Sequence, residues 1–138
     1  MPPPLVVLDT NVLVAAIKSR RGASFAVLER VGTGVFDIAV SVPLVVEYEH
    51  AMVRERGAVP AVAVRDIIDY VCKVAVRQPI FFLWRPFLRD PADDMVAEVG
   101  FAAGAKAIIT HNRRDFVGVE SLGLAVLSPH ELLKRTRP

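Results

Sequence analysis

LVVLDTNVLVAAI, residues 5–17, sets an unbroken apolar run beside a second apolar segment and separates them with Asp9, Thr10 and Asn11. The first run has no polar alternation, so it reads as a strand over about residues 4–9 buried on both faces, the kind found in parallel sheets covered by helices. The residues after it have helical period and predict a helix from Thr10 to about Lys18. Open α/β sheets hold their ligands beyond the carboxyl ends of their strands. Asp9 falls at such an end. Its structural rival is an N-cap role for the following helix, which Thr10 could also serve.

Outward from this stretch, short β-branched runs alternate with longer helical segments. Helices are expected over 22–31, over 42–56 with Ser41 as N-cap and Pro43 in the first turn, over 59–76, over 91–103 and over 129–135. Strands are expected at FDIAVS (36–41), IFFLW (80–84), KAIIT (106–110) and LAVLS (124–128). The 59–76 helix should bury Val62, Ile67, Val71 and Val74 on one side. This alternation predicts an α/β fold with a mainly parallel central sheet between two helical layers. No repeat, low-complexity tract or linker interrupts the chain, so residues 1–138 read as one domain.

At 138 residues, a chain can bury roughly 68% of the surface it exposes when unfolded. The single cysteine, Cys72, excludes an internal disulfide framework and reads as a core residue, which fits a reducing cytoplasm. The N-terminus lacks a basic leader and no apolar run is long enough to span a bilayer, so a soluble cytoplasmic protein is expected. Seventeen Lys+Arg against fifteen Asp+Glu give a net charge of +2. A balance that even does not nominate a nucleic-acid binder. Mean hydropathy of +0.41 with 53% hydrophobic residues points instead to self-association or a protein partner.

The acids carry the chemistry. Glu47, in SVPLVVEYEHAM, falls in the second turn of its helix after a strand. In RDPADDMVAEVGFA, Asp90 is a natural N-cap before Pro91, and Asp93 can complete a capping box. Asp94 is not needed for capping, and it faces Glu98 one turn on as a like-charge pair. The strand end IITHNRRDF brings Thr110, His111, Asn112 and Asp115 to the sheet edge that holds Asp9. Cys72, His50 and His130 lack zinc-site spacing around His111, which reads as an exposed loop residue.

Carboxylates about 4 Å apart at an effective dielectric of 20 repel by roughly 4 kcal/mol per pair, so a converging set needs a counter-charge. Oxygen-only donors suit Mg²⁺ or Mn²⁺ and, with them, phosphodiester hydrolysis by a metal-activated water.

These motifs resemble the PIN-domain ribonucleases, particularly the small stand-alone toxins of toxin–antitoxin pairs. The resemblance rests on LDTNVLVAA, on a glutamate in the helix after the second strand, on the DPADD helix start and on IITHNRRDF. It runs in order along nearly the whole chain. It implies a compact α/β/α sandwich, often dimeric, in which acids hold one or two Mg²⁺ or Mn²⁺ ions and cleave RNA. Mapped here, the acids are Asp9, Glu47 and Asp94, the last heading DMVAEVGFA. The family's fourth is usually an aspartate two residues after the threonine, where this chain has Asn112, with Asp115 three further on. Either could complete the site. Thr10, Asn11, Thr110, Asn112 and Asp93 are its supporting polar residues, and Arg113 and Arg114 are placed to hold RNA phosphates. An antitoxin protein is the expected partner.

Other classes fit less well. An aspartyl-phosphatase needs a second carboxylate at position 11, which is Asn11, and a receiver domain needs a lysine beyond a late strand, whereas Lys106 precedes its strand. No phosphate-binding glycine loop is present. The alternative kept from a different class is an inactive PIN-like binding or scaffolding module, for which Asn112 would be the sign of lost activity.

Overall fold

A computed structural model describes residues 2–80 and 88–137. Its sheet is parallel throughout and comprises β1 (Leu5–Leu8), β2 (Asp37–Val40), β3 (Val76–Arg77), β4 (Ala107–Ile109) and β5 (Ala125–Leu127), in the order β3-β2-β1-β4-β5. Val6, Val7 and Leu8 are all buried although their side chains alternate across the sheet, so helices cover both faces. Burial of each such side chain stabilises the fold by about 1.5–3 kcal/mol. This is the three-layer α/β/α arrangement that the apolar strands predict.

Six helices surround the sheet among the described residues: α1 (Thr10–Lys18), α2 (Ala23–Arg30), α3 (Val42–Glu55), α4 (Ala61–Val74), α5 (Pro91–Ala103) and α6 (Pro129–Arg135). Helix α1 packs on α2 and α3, α2 on α6, and α3 on α4, while α5 lies against β1, β2 and β4. Gly100 lets α5 approach closely, because a β-carbon there would stand 3.2 Å from Leu124 and 3.7 Å from Val7. None of these helices is long and apolar enough to cross a membrane.

The chain leaves β1 toward β2 on one side and leaves β4 toward β5 on the other. The carboxyl ends of β1 and β4 therefore flank the switch point of the sheet, where such folds form a crevice. The ladder continues one residue past each strand: Asp9 N–H donates to Ile109 O (2.8 Å), and Thr110 N–H donates to Leu127 O (2.9 Å). Asp9 and Thr110 are thereby set side by side at that edge.

Local expectations change around α4. The helix expected over 59–76 ends at Val74, and Ala75 turns extended so that Val76 and Arg77 pair with Ala39 and Val40 as an edge strand. A two-residue strand has no alternation to read. The buried face of α4 is Val64, Ile68 and Val71, with Val62 64% exposed. The strand expected over 80–84 lies outside the described residues from 81 onward, and Ile80 belongs to no strand. Cys72 is half-buried and lines an apolar cavity with Val40, Val45, Val46 and Pro79.

Candidate active site

Asp9 is 5% exposed and occupies the N-cap position of α1, yet its side chain makes no capping hydrogen bond to the helix. It instead accepts from the hydroxyl of Thr110 (2.7 Å), which is wholly buried. That hydroxyl also accepts from Asn112 N–H (2.9 Å) and from the Asn11 amide (3.3 Å). A hydroxyl has one proton and two lone pairs, so all of its capacity is used and its proton is directed at Asp9. Asn11 Oδ1 accepts the His111 N–H (3.3 Å), which ties the start of α1 to the end of β4. Thr10 plays no cap part: it is the first helical residue, and its buried hydroxyl has no partner among the described residues. Beneath Asp9, the buried Tyr48 of α3 donates to Leu8 O, and burial together with the Asp9 charge keeps its phenol protonated.

Burial raises the Asp9 pKa from 3.8 to about 6, against the pull of Thr110 and of the Thr10 backbone, and Asp115 and Asp90 push it further up. Asp93 is raised to about 7, again by burial first and then by Asp9, Asp115, Asp90 and Asp94. Asp9 and Asp93 thus belong to an acidic cluster with Asp90, Asp94 and Asp115, whose charges disfavour ionisation of those two.

Asp93 and Asp94 stand differently from their sequence reading. Asp90 caps α5 by accepting from Ala92 N–H (2.9 Å), with no reciprocal bond from Asp93. Asp93 is half-buried and coupled to Asp9. Asp94 is 2% exposed and accepts the Leu88 N–H (2.8 Å), which fastens the segment before α5. Helical spacing carried the signal for Asp93, because Asp93, Val96, Ala97 and Gly100 recur at i, i+3, i+4 and i+7 and Gly100 packs on β1.

Glu47 is half-buried on α3, and it is not among the charges acting on Asp9 or Asp93. Asp115 is brought back toward the cluster by a single 3₁₀ turn, Arg113–Phe116, anchored by the wholly buried Phe116. Arg113 ion-pairs with Glu131, the residue that also completes the capping box of α6. Arg114 stays exposed.

Along this framework a sequence profile of the PIN domain matches residues 5–114. The chain belongs to the PIN-domain family. The match takes in Asp9, Asp93, Thr110 and Asn112 and stops one residue before Asp115. PIN domains are generally nucleases and typically use divalent metal ions. The PIN fold is also evident in three dimensions: a chain of the Rickettsia felis VapBC2 complex, solved bound to a DNA fragment from its promoter, superposes with a TM-score of 0.63 at 16% identity over 90% of this chain and 98% of that one. A search of curated proteins found no match.

The acids of this PIN domain are hard oxygen donors of the type that divalent cations prefer, and their mutual repulsion would be relieved by one. Among the described residues, no three His, Cys, Asp or Glu side chains close into a metal-holding group. A divalent cation held by one or two of these carboxylates would leave its remaining positions to water and substrate.

Proposed function

We propose that this PIN domain is a Mg²⁺- or Mn²⁺-dependent endoribonuclease, the toxin of a toxin–antitoxin pair. The observation that carries this reading is the pair of electrostatically linked acids, Asp9 just beyond β1 at the switch point and Asp93 in the first turn of α5, each held in a site that penalises its charge. A fold places mutually repelling carboxylates at its crevice when a cation is to be received there. Asp9 and Asp93 would hold the metal, with Asp115 across from them and Asn112 offering a neutral carbonyl. When bound, the metal supplies an activated water for attack at phosphorus and a counter-charge for the leaving oxygen. Thr110 keeps the Asp9 carboxylate in one orientation, Asp94 holds Leu88 at the entry to α5, the helix that carries Asp93, and Glu47, half-buried on α3, is a further candidate ligand. Arg114 is free to meet RNA phosphates, whereas Arg113 must first release Glu131.

An antitoxin partner is consistent with the VapBC2 likeness. A homodimer accords with the high mean hydropathy and the exposed Val42 and Val46 on α3, and a cytoplasmic setting accords with the single, unpaired Cys72. The test is cleavage of a panel of single-stranded and hairpin RNAs. Cleavage with Mg²⁺ or Mn²⁺ that EDTA abolishes and fresh metal restores is expected. No cleavage with either metal would favour an inactive binding module, and EDTA-resistant cleavage would remove the metal from the mechanism.

A further inference from the structure

His111 is exposed at the carboxyl end of β4, yet its ring is anchored. Its Nε2 lies 2.5 Å from Oγ of Ser24, the second residue of α2, and Ser24 is 2% exposed. Its backbone N–H is held by Asn11, whose amide bonds the Thr110 hydroxyl that in turn bonds Asp9. One polar chain therefore links α2, α1 and β4 to the acid cluster. A serine inside a helix usually turns to solvent or bonds a carbonyl one turn back. Here the hydroxyl is withdrawn from water and bonded to an imidazole 87 positions away.

With Nε2 occupied, Nδ1 is the remaining polar atom of the ring, and it has no hydrogen-bond partner among the described residues. When the serine hydroxyl donates to Nε2, the ring proton of the neutral tautomer sits on Nδ1. Nδ1–H is then a donor on an exposed residue whose ring is held by Ser24. Such a donor complements the neighbouring carboxylates, since Asp9, Asp93 and Asp115 offer only acceptors when ionised and Arg113 is drawn toward Glu131, and it adds an anchored donor to the exposed Arg114.

We propose that His111, positioned by Ser24, donates from Nδ1 to a non-bridging phosphate oxygen of the RNA strand as it enters the crevice. His111 is a substrate-binding residue and Ser24 its positioning residue. The inference rests on the nuclease reading, and it adds a residue outside the acids that selects for a phosphodiester.

The test is steady-state cleavage of a short single-stranded RNA by wild type, His111→Ala, His111→Asn and Ser24→Ala, with melting temperatures of all four. His111→Ala should raise KM about tenfold with kcat within about twofold, the size of one hydrogen bond to a charged group. His111→Asn, whose amide nitrogen can take the place of Nδ1, should recover most of that loss. Ser24→Ala should raise KM about threefold by freeing the ring, less than the loss of the donor itself. The ring ¹⁵N signals of wild-type His111 should shift when the RNA is added in EDTA. Equal KM values for wild type and His111→Ala, with or without a fall in melting temperature, would make the Ser24–His111 bond purely structural and overturn the inference alone. If wild type neither binds nor cleaves RNA, the nuclease reading falls and this inference falls with it.

Discussion

The ends of β1 and β2 are built from the same local pattern, an apolar strand, one polar residue and a helix, and they use it in opposite ways. At the end of β2, Ser41 turns its side chain into α3 and accepts the Leu44 N–H (3.2 Å). An apolar cavity lined by Val42, Val45 and Val46 adjoins it. At the end of β1, Asp9 stands in the same N-cap position but turns away from α1 to the Thr110 hydroxyl. Ser41 satisfies a backbone donor and contributes about 1 kcal/mol. Asp9 carries a charge that burial disfavours, and it reduces stability at neutral pH. The neighbouring strand makes the difference: β1 lies beside β4, which ends in Thr110, whereas β2 ends beside the short edge strand β3. A residue that lowers stability at a crevice, where a cap would have raised it, is what the proposed function needs at that end of the sheet.

The largest effect should come from removing the charge at the β1 end. Asp9→Asn keeps a hydrogen-bond acceptor for Thr110 and should lower cleavage at least a hundredfold, roughly the upper figure for losing even a supporting group around a metal. Its effect on the metal-free protein has the opposite sign. The folded pKa of about 6 exceeds the ordinary 3.8, so the folded state binds more protons than the unfolded chain between those values. The Asp9 contribution is fully present below about pH 4 and is lost as pH rises through about 6, by on the order of 2–3 kcal/mol. Asp93, raised to about 7, extends the fall toward neutrality, with a smaller weight because it is partly solvated. Urea unfolding of the apo protein at about pH 5 and about pH 8 should show a weaker pH dependence in Asp9→Asn than in wild type. An active Asp9→Asn protein that is less stable at neutral pH would make Asp9 a second Ser41, and the contrast between the two ends would disappear.

A smaller effect separates the two adjacent aspartates of α5. Asp94→Ala leaves the Leu88 N–H without its acceptor and should cost about 1–3 kcal/mol, or roughly 3–10 °C in melting temperature. Asp93→Asn should leave the melting temperature unchanged or raised while lowering activity. The reverse pattern, a destabilised Asp93→Asn and a stable, inactive Asp94→Ala, would return Asp94 to the crevice. The smallest effect is at the β2 end: Ser41→Ala should cost about 1 kcal/mol in thermal or urea unfolding and leave cleavage as in wild type. Any loss of cleavage beyond that due to unfolding would mean that the β2 end also serves the site.

By itself the sequence determined what depends on neighbours within a turn or a strand. Uninterrupted apolar runs are stable only when both faces are covered, so Val6 to Leu8 and Ala107 to Ile109 already implied a covered parallel sheet. Ser41 before Val42-Pro43 and Ser128 three residues before Glu131 announced the starts of α3 and α6, because a cap is an interaction over three or four positions. Asp9 was legible as a carboxylate at a strand end. Tertiary structure alone decided the acceptor role of Asp9, since its partner Thr110 is 101 positions away. It likewise decided that Asp94 holds Leu88, whereas Asp93, about 100° away on α5, had a signal in its helical spacing with Val96, Ala97 and Gly100. The edge pairing of Val76 and Arg77 and the bond from Ser24 to His111 belong to the same class. Each joins segments that carry no mutual signal in the chain and are brought within hydrogen-bonding distance only by the order of the strands.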